Sequence, residues 1–135
     1  MQKIHLKRKW KRYKLANQEL KLIPVYEQYI GYMIKLIMIL PRTEKYSIGT
    51  EYKQIMYSCL EDILYISKVE DKKRLYYLNK IDSKLDVQRI LLRVMKESGW
   101  IDNHKFEVAM DKLYEIGKIL GGLIKYYAKN NQKSV

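Results

Sequence analysis

The sequence is poor in the residues that build disulfides, metal sites and membrane spans. It has one cysteine and two histidines among 135 residues. One cysteine excludes an intrachain disulfide and a four-cysteine zinc site, and it favours the reducing cytoplasm. No uninterrupted apolar stretch reaches the roughly 20 residues that cross a bilayer. We therefore expect a soluble, folded, cytoplasmic protein.

Groups that could catalyse a reaction are equally scarce. His5 lies in a basic N-terminal segment, and His104 lacks the Glu-x-x-His spacing of di-iron bundles because position 101 is Ile101. Glu61 and Asp62 are adjacent, so they point in different directions and form no facing acid–base pair. No glycine-rich phosphate loop follows a strand. The sequence predicts no enzyme activity, no metal and no cofactor.

Acidic residues are also few, and the surplus of cations is concentrated at the N-terminus. The chain has 27 Lys and Arg against 15 Asp and Glu, for a net charge of +12. Seven of these cations lie in the first fourteen residues, with no acidic residue among them: Lys3, Lys7, Arg8, Lys9, Lys11, Arg12 and Lys14. Such a segment attracts polyanions, and Trp10 and Tyr13 within it are suited to stacking on bases. A solubilising tail and a membrane-surface arm are the alternatives.

The only two prolines, Pro24 and Pro41, bracket residues 25–40 and predict a first helix there. This segment is apolar on nearly all sides, so it should be covered by the other helices or by a neighbouring subunit. It also carries Glu27 and Lys35 and is too short to cross a bilayer. The pattern favours self-association.

Three more helices are predicted from stripes of mainly apolar residues that recur at spacings of three and four. The second stripe is Ile48, Tyr52, Ile55, Cys59, Ile63 and Ile66; the third is Leu78, Ile81, Leu85, Gln88, Leu92 and Met95; the fourth is Phe106, Ala109, Leu113, Ile116, Leu120, Leu123 and Tyr127. Gly99 should end the third helix, and Asp102 or Asn103 should cap the fourth. Gly121 and Gly122 within the fourth predict a close helix approach.

These patterns predict an all-α protein, an antiparallel four-helix bundle. We assign residues 1–22 to a basic arm, 23–129 to the bundle and 130–135 to a frayed tail. Two basic trios share a helix face each: Arg89, Arg93 and Lys96 on the third helix, and Lys118, Lys125 and Lys129 on the fourth. Each could follow a phosphate backbone, although a solvated face is the commoner meaning of such a stripe.

Three segments carry a resemblance to a known family. They are LDVQRILLR at residues 85–93, GWIDN at 99–103 and EIGKILGGLIK at 115–125. Together with the IPVYE opening at residues 23–27 and the LPR turn at 40–42, they resemble the accessory variability determinant (Avd) proteins of diversity-generating retroelements. They are also similar to the related four-helix-bundle proteins encoded in intervening sequences of bacterial 23S ribosomal RNA genes.

The resemblance to Avd proteins implies a homopentameric barrel of bundles with a positive surface. It implies binding to the element's reverse transcriptase and to template-repeat RNA or DNA, in support of mutagenic copying and without catalysis. Arg89, Arg93, Lys118 and Lys125 would make these contacts. The arm is longer and more basic than the resemblance leads us to expect. An intervening-sequence protein of undefined role and a membrane-surface adaptor are the alternatives, and a membrane is the less favoured partner.

Overall fold

A computed structural model describes residues 2–133, with side chains from 5 to 131, and this part of the chain is helical without a strand. Its elements are α1 (Gln2–Met38), the single turn α2 (Arg42–Lys45), α3 (Ile48–Tyr65) with the 3-10 turn Ile66–Lys68, α4 (Asp71–Glu97) and α5 (Asn103–Lys133). The four long helices form a ring of neighbours, because α1 and α4 each pack between α3 and α5. The predicted all-α class is confirmed.

The core follows the predicted stripes closely. The six stripe residues of α4 are its six buried residues. On α3 the prediction was wrong at Ile55, which is only half-buried while Met56 is buried in its place, and the first stripe residue, Ile48, is also half-buried. On α5 the first stripe residue, Phe106, is likewise half-buried.

The turn between α4 and α5 has the glycine and the helix-capping residue that the sequence predicted. Gly99 adopts a φ of 76°, a left-handed conformation that suits glycine after a helix end. The Asp102 carboxylate accepts a 2.8 Å hydrogen bond from the backbone N–H of Lys105 and caps α5. The Lys105 ammonium and that N–H lower the pKa of Asp102. The helix then continues to Lys133, beyond the end predicted at residue 129.

The predicted start of the first helix at Pro24 was wrong. Helix α1 begins at Gln2, and Pro24 lies inside it. An interior proline removes one backbone hydrogen bond and usually breaks a helix, at a cost of about 3 kcal/mol. Here side chains on both sides of Pro24 hold α1 against the bundle, because Leu22 and Tyr26 are buried. The segment assigned to the arm is therefore the first half of a 37-residue helix.

A three-residue contact holds that first half against the bundle. The Arg74 guanidinium on α4 lies 2.8 Å from the Glu19 carboxylate on α1 and 2.7 Å from the Tyr127 hydroxyl on α5. The Arg74 and Glu19 side chains are only 19% and 15% exposed. We call this contact the Arg74 clasp. It connects the first half of α1 to both α4 and α5.

The one buried polar residue of the described core, Gln88, belongs to a hydrogen-bond network. Its amide oxygen accepts a 2.7 Å bond from the Tyr29 hydroxyl, which also bonds the Tyr52 hydroxyl, and its NH₂ donates to Tyr26. Tyr26 in turn donates to the Met56 carbonyl at 2.7 Å. Burial raises the pKa of all three tyrosines, so they stay neutral. The network joins α1, α3 and α4 in one register.

The expectation of a close helix approach at Gly121 and Gly122 was wrong within the described chain. A Cβ added at either glycine would meet nothing within 4 Å. Of the three glycines of α5, Gly117 is the one with a close neighbour, because the Arg89 guanidinium of α4 would lie 2.6 Å from a Cβ added there. The glycine pair therefore leaves open space on α5.

Candidate nucleic-acid interface

The first half of α1 presents its cations on an exposed helix. No side chain of residues 5–21 is fully buried, and six of the seven predicted arm cations, from Lys7 to Lys14, are exposed. The side chain of the seventh, Lys3, lies outside the described residues. No acidic residue occurs before Glu19. The helix presents the cations from Lys7 to Lys14 along roughly 10 Å of its axis.

The predicted basic trio of α5 shares one exposed face. Lys118, Lys125 and Lys129 are all exposed, while the residues of the core stripe between them are buried. From the helical rise, Lys125 lies about 10 Å from Lys118 along the axis, and Lys129 about 6 Å further. The trio is a charged stripe on the outside of the bundle.

The fold brings the cations of the arm and of α5 together across a groove. Lys14 and Lys21 of α1 and Lys118 of α5 line a groove of about 450 Å³, which we call the Lys14 groove. Its apolar lining includes Leu15 and Ile119, and Glu115 is the acidic residue on its wall. Lys21 was missed by sequence reasoning, because it lies outside the dense cluster of the first fourteen residues.

A second groove lies nearer to the N-terminus of α1. Three arm cations, Arg8, Lys11 and Arg12, line it together with Tyr126 and Asn130 of α5, in a volume of about 350 Å³. No acidic residue lines this groove, which we call the Arg8 groove. The Lys14 groove and the Arg8 groove follow one another along the contact between α1 and α5. Each places lysine or arginine side chains beside the surface of α5, as binding to a polyanion requires.

The basic trio of α4 is less available than its spacing predicted. Arg89 donates to Asp86 at 2.6 Å and lies over Gly117 of α5, and only 22% of its side chain is exposed. Lys96 lies 4.6 Å from the centre of the Phe106 ring. Arg93 is exposed. The trio shares a side of α4, but that side borders α5, so two of the three have contacts within the bundle.

Two exposed surfaces gave no signal in the sequence patterns. On the outer side of α4, Val87, Ile90 and Val94 form an apolar stripe, of which Ile90 is 56% exposed. Near the α3–α4 turn, Tyr77 contacts the rings of Tyr65 and Tyr76 edge-on. These residues lie outside the predicted core stripes, and the spacing that identified those stripes gives no information about the rest of the helix surface.

Three further features of the described residues concern potential metal ligands, the single cysteine and the hydropathy of the helices. They contain no group of three or more potential metal ligands. Cys59 is buried, and burial raises the pKa of its thiol to about 11, so it is a protonated core residue at neutral pH. No helix in the described range is long and apolar enough to span a bilayer.

Comparison with known proteins identifies the family. A search of curated proteins finds no match. A family model described as bAvd-like matches residues 15–127, which include α3 and α4 and most of α1 and α5 but leave out the first fourteen residues. Proteins of the Avd-like kind are accessory and non-catalytic. The chain belongs to the bAvd-like family.

Proposed function

We propose that this protein is a non-catalytic accessory factor of a diversity-generating retroelement, and that it binds the element's reverse transcriptase and template RNA or DNA to support mutagenic copying. Family membership over residues 15–127 carries the proposal. The two cation-lined grooves between α1 and α5 support the nucleic-acid part, because phosphate binding dominates such affinity. A cytoplasmic location, expected from the single cysteine, remains part of the proposal.

Self-association is the second part of the proposal. The exposed stripe of Val87, Ile90 and Val94 on α4 is an apolar surface without a partner in the described chain. Burial of such β-branched side chains against a second copy would remove apolar area from water. We propose that this stripe contributes to a homo-oligomer, with five copies as the family resemblance implies. Light scattering of the purified protein should show an oligomer at micromolar concentration, and a monomer would contradict this part.

The nucleic-acid part is tested by the salt dependence of RNA binding. Neutralising the Arg8 groove by Arg8→Gln, Lys11→Gln and Arg12→Gln should weaken binding to single-stranded RNA and reduce the log–log salt slope by about 2, at roughly 0.7 for each lost phosphate contact. The matched control neutralises Lys35, Arg42 and Lys45 at the other end of α1, which removes the same charge. An equal change in both variants would mean that only net charge matters, and the assignment of RNA binding to the Arg8 groove would be wrong.

Genomic context separates the proposal from its nearest alternative. A reverse-transcriptase gene and paired variable repeats beside the coding sequence are expected, and co-expression with that polymerase should yield a complex. A position inside a 23S ribosomal RNA gene would instead favour the intervening-sequence relatives.

A further inference from the structure

The side of the arm that faces away from the bundle carries a line of uncovered apolar side chains. These follow one another at spacings of four, three and seven residues, which places them on one face of α1. Each is between 59% and 63% exposed. We call this line the arm ridge, and its members are Leu6, Trp10, Tyr13 and Leu20. The buried Leu22 marks the opposite side of the same helix.

The two aromatic rings of the arm ridge lie close together and beside a cation. The ring centres of Trp10 and Tyr13 are 5.8 Å apart, with planes inclined by 22°. The Lys14 ammonium lies 5.6 Å from the centre of the Trp10 ring. Lys14 also lines the Lys14 groove with Lys21 and Lys118. Aromatic surface and a phosphate-binding groove are therefore adjacent along α1.

We propose that the arm ridge binds an unpaired nucleic-acid strand, with bases stacked on Trp10 and Tyr13 and phosphates held by the cations of the Lys14 groove. The inference rests on the proposed function and adds a preference for single strands. Unpaired bases expose their faces for stacking on aromatic side chains, whereas the bases of a duplex are already stacked on one another. A duplex can use the cations of the arm but not its rings.

The charge around the arm ridge favours this ligand over a membrane. From the helical period, the four ridge residues cover roughly 80° of the helix surface, narrower than the apolar face of about 100° that amphipathic helices bury. Lys9 and Lys21 flank the ridge, one on each side, and Asn17 interrupts it. A ridge one side chain wide between cations fits a polyanion that offers flat rings better than it fits a lipid surface.

The test compares single-stranded and double-stranded RNA on ring variants of the full-length protein. Trp10→Ala and Tyr13→Ala should each weaken binding to a mixed-sequence single strand of about 12 nucleotides by about 5- to 150-fold, as stacking on one ring predicts. Binding to a duplex of the same sequence should change by less than about twofold. Tyr46→Ala is the matched control, because Tyr46 is 71% exposed near the other end of α1. Trp10→Phe should retain most of the affinity, since phenylalanine keeps a ring face.

Fluorescence gives a second, independent measurement. The protein has two tryptophans, so Trp100→Phe leaves Trp10 as the only one. Single-stranded RNA should quench this fluorescence strongly, and the duplex should not. Phosphatidylserine vesicles serve as the competing polyanionic surface.

Each outcome decides the proposal. Equal losses on single strand and duplex, or no loss on the single strand, would overturn it while the proposed function stands. A Trp10 blue shift with vesicles, together with RNA binding that ignores the ring variants, would assign the ridge to a membrane instead. If the unmodified protein binds neither RNA, the nucleic-acid part of the proposed function fails and this inference fails with it.

Discussion

The two halves of α1 share a secondary structure and differ in how they are held. Between residues 22 and 38, Tyr26, Tyr29 and Met33 are fully buried, and the tyrosine hydroxyls bond across the core. Between residues 5 and 21 no side chain is fully buried, and cations dominate. One continuous helix is therefore core in its second half and an exposed, charged surface in its first. The family match also divides α1, because it begins at residue 15.

The largest expected difference between the buried core, to which the second half of α1 belongs, and the exposed first half of α1 is in thiol reactivity. Cys59 is buried in the core, and the pKa of its thiol is raised from 9 to about 11, chiefly by burial. It should react with a thiol reagent only through unfolding, at a rate at least about 10³-fold below that of the unfolded chain. A cysteine placed on the arm by Leu6→Cys, in a Cys59→Ala background, should react freely. Fast labelling of native Cys59 would contradict the comparison.

The raised pKa of the Cys59 thiol also determines how the stability of the fold depends on pH. A thiol whose pKa is raised on folding stabilises the folded state fully below the unfolded value near 9. That contribution is lost as the pH rises toward about 11. The buried tyrosines, whose pKa values are also raised, act in the same direction. Denaturation by urea should therefore become easier in this alkaline range.

The next largest difference is expected when one leucine in the core and one leucine in the first half of α1 are each truncated to alanine. Leu85→Ala removes a fully buried side chain and should lower the free energy of unfolding by about 2–5 kcal/mol. Leu6→Ala removes a side chain that is 63% exposed and should change it by less than about 0.5 kcal/mol. Urea titration measures both. A large loss in Leu6→Ala would show that the arm is covered in solution, as in an oligomer that buries it.

The core was predictable from sequence because its information is local and periodic. All six stripe residues of α4 were identified from their spacing, and Gly99 and Asp102 marked its turn. The start of α1 was missed because proline was expected to mark the beginning of a helix, whereas packing against residues distant in the sequence lets α1 continue through Pro24. The Arg74 clasp joins positions 55 residues apart, and no spacing along one helix reveals such a pair.

The same dependence on helix packing explains why the candidate site was only partly predictable from the sequence. The cations of the arm and of α5 were identified by composition and spacing, yet their meeting across the Lys14 groove depends on how the helices pack. Arg89 was predicted as a ligand-binding residue from its periodicity. That periodicity could not show that Arg89 lies against Gly117 and bonds Asp86.

The Arg74 clasp should make a smaller but specific contribution at the boundary of the two regions. Glu19→Gln removes the nearer of the two carboxylates paired with a largely buried guanidinium, the other being Asp71 at 3.5 Å, and should cost about 1–3 kcal/mol. Hydrogen exchange should accelerate along residues 5–21 more than along α4, because the clasp holds that half of α1. The control Glu27→Gln changes an exposed acid on the same helix and should have little effect. Unchanged exchange in the arm would mean that other contacts hold it.

The smallest expected effect has the opposite sign and lies where the arm meets α5. Gly122→Ala adds a methyl group that meets nothing within 4 Å in the described chain, and alanine is favoured over glycine inside a helix. The free energy of unfolding should therefore rise by about 0.5–1 kcal/mol, and Gly31→Ala, also in open space on α1, should give the same gain. Gly122 lines the Lys14 groove, so the added methyl group should weaken RNA binding only in that variant. A loss of stability confined to Gly122→Ala would instead mean that a second chain lies against α5 at this point, because no atom of the described chain is close enough to cause it.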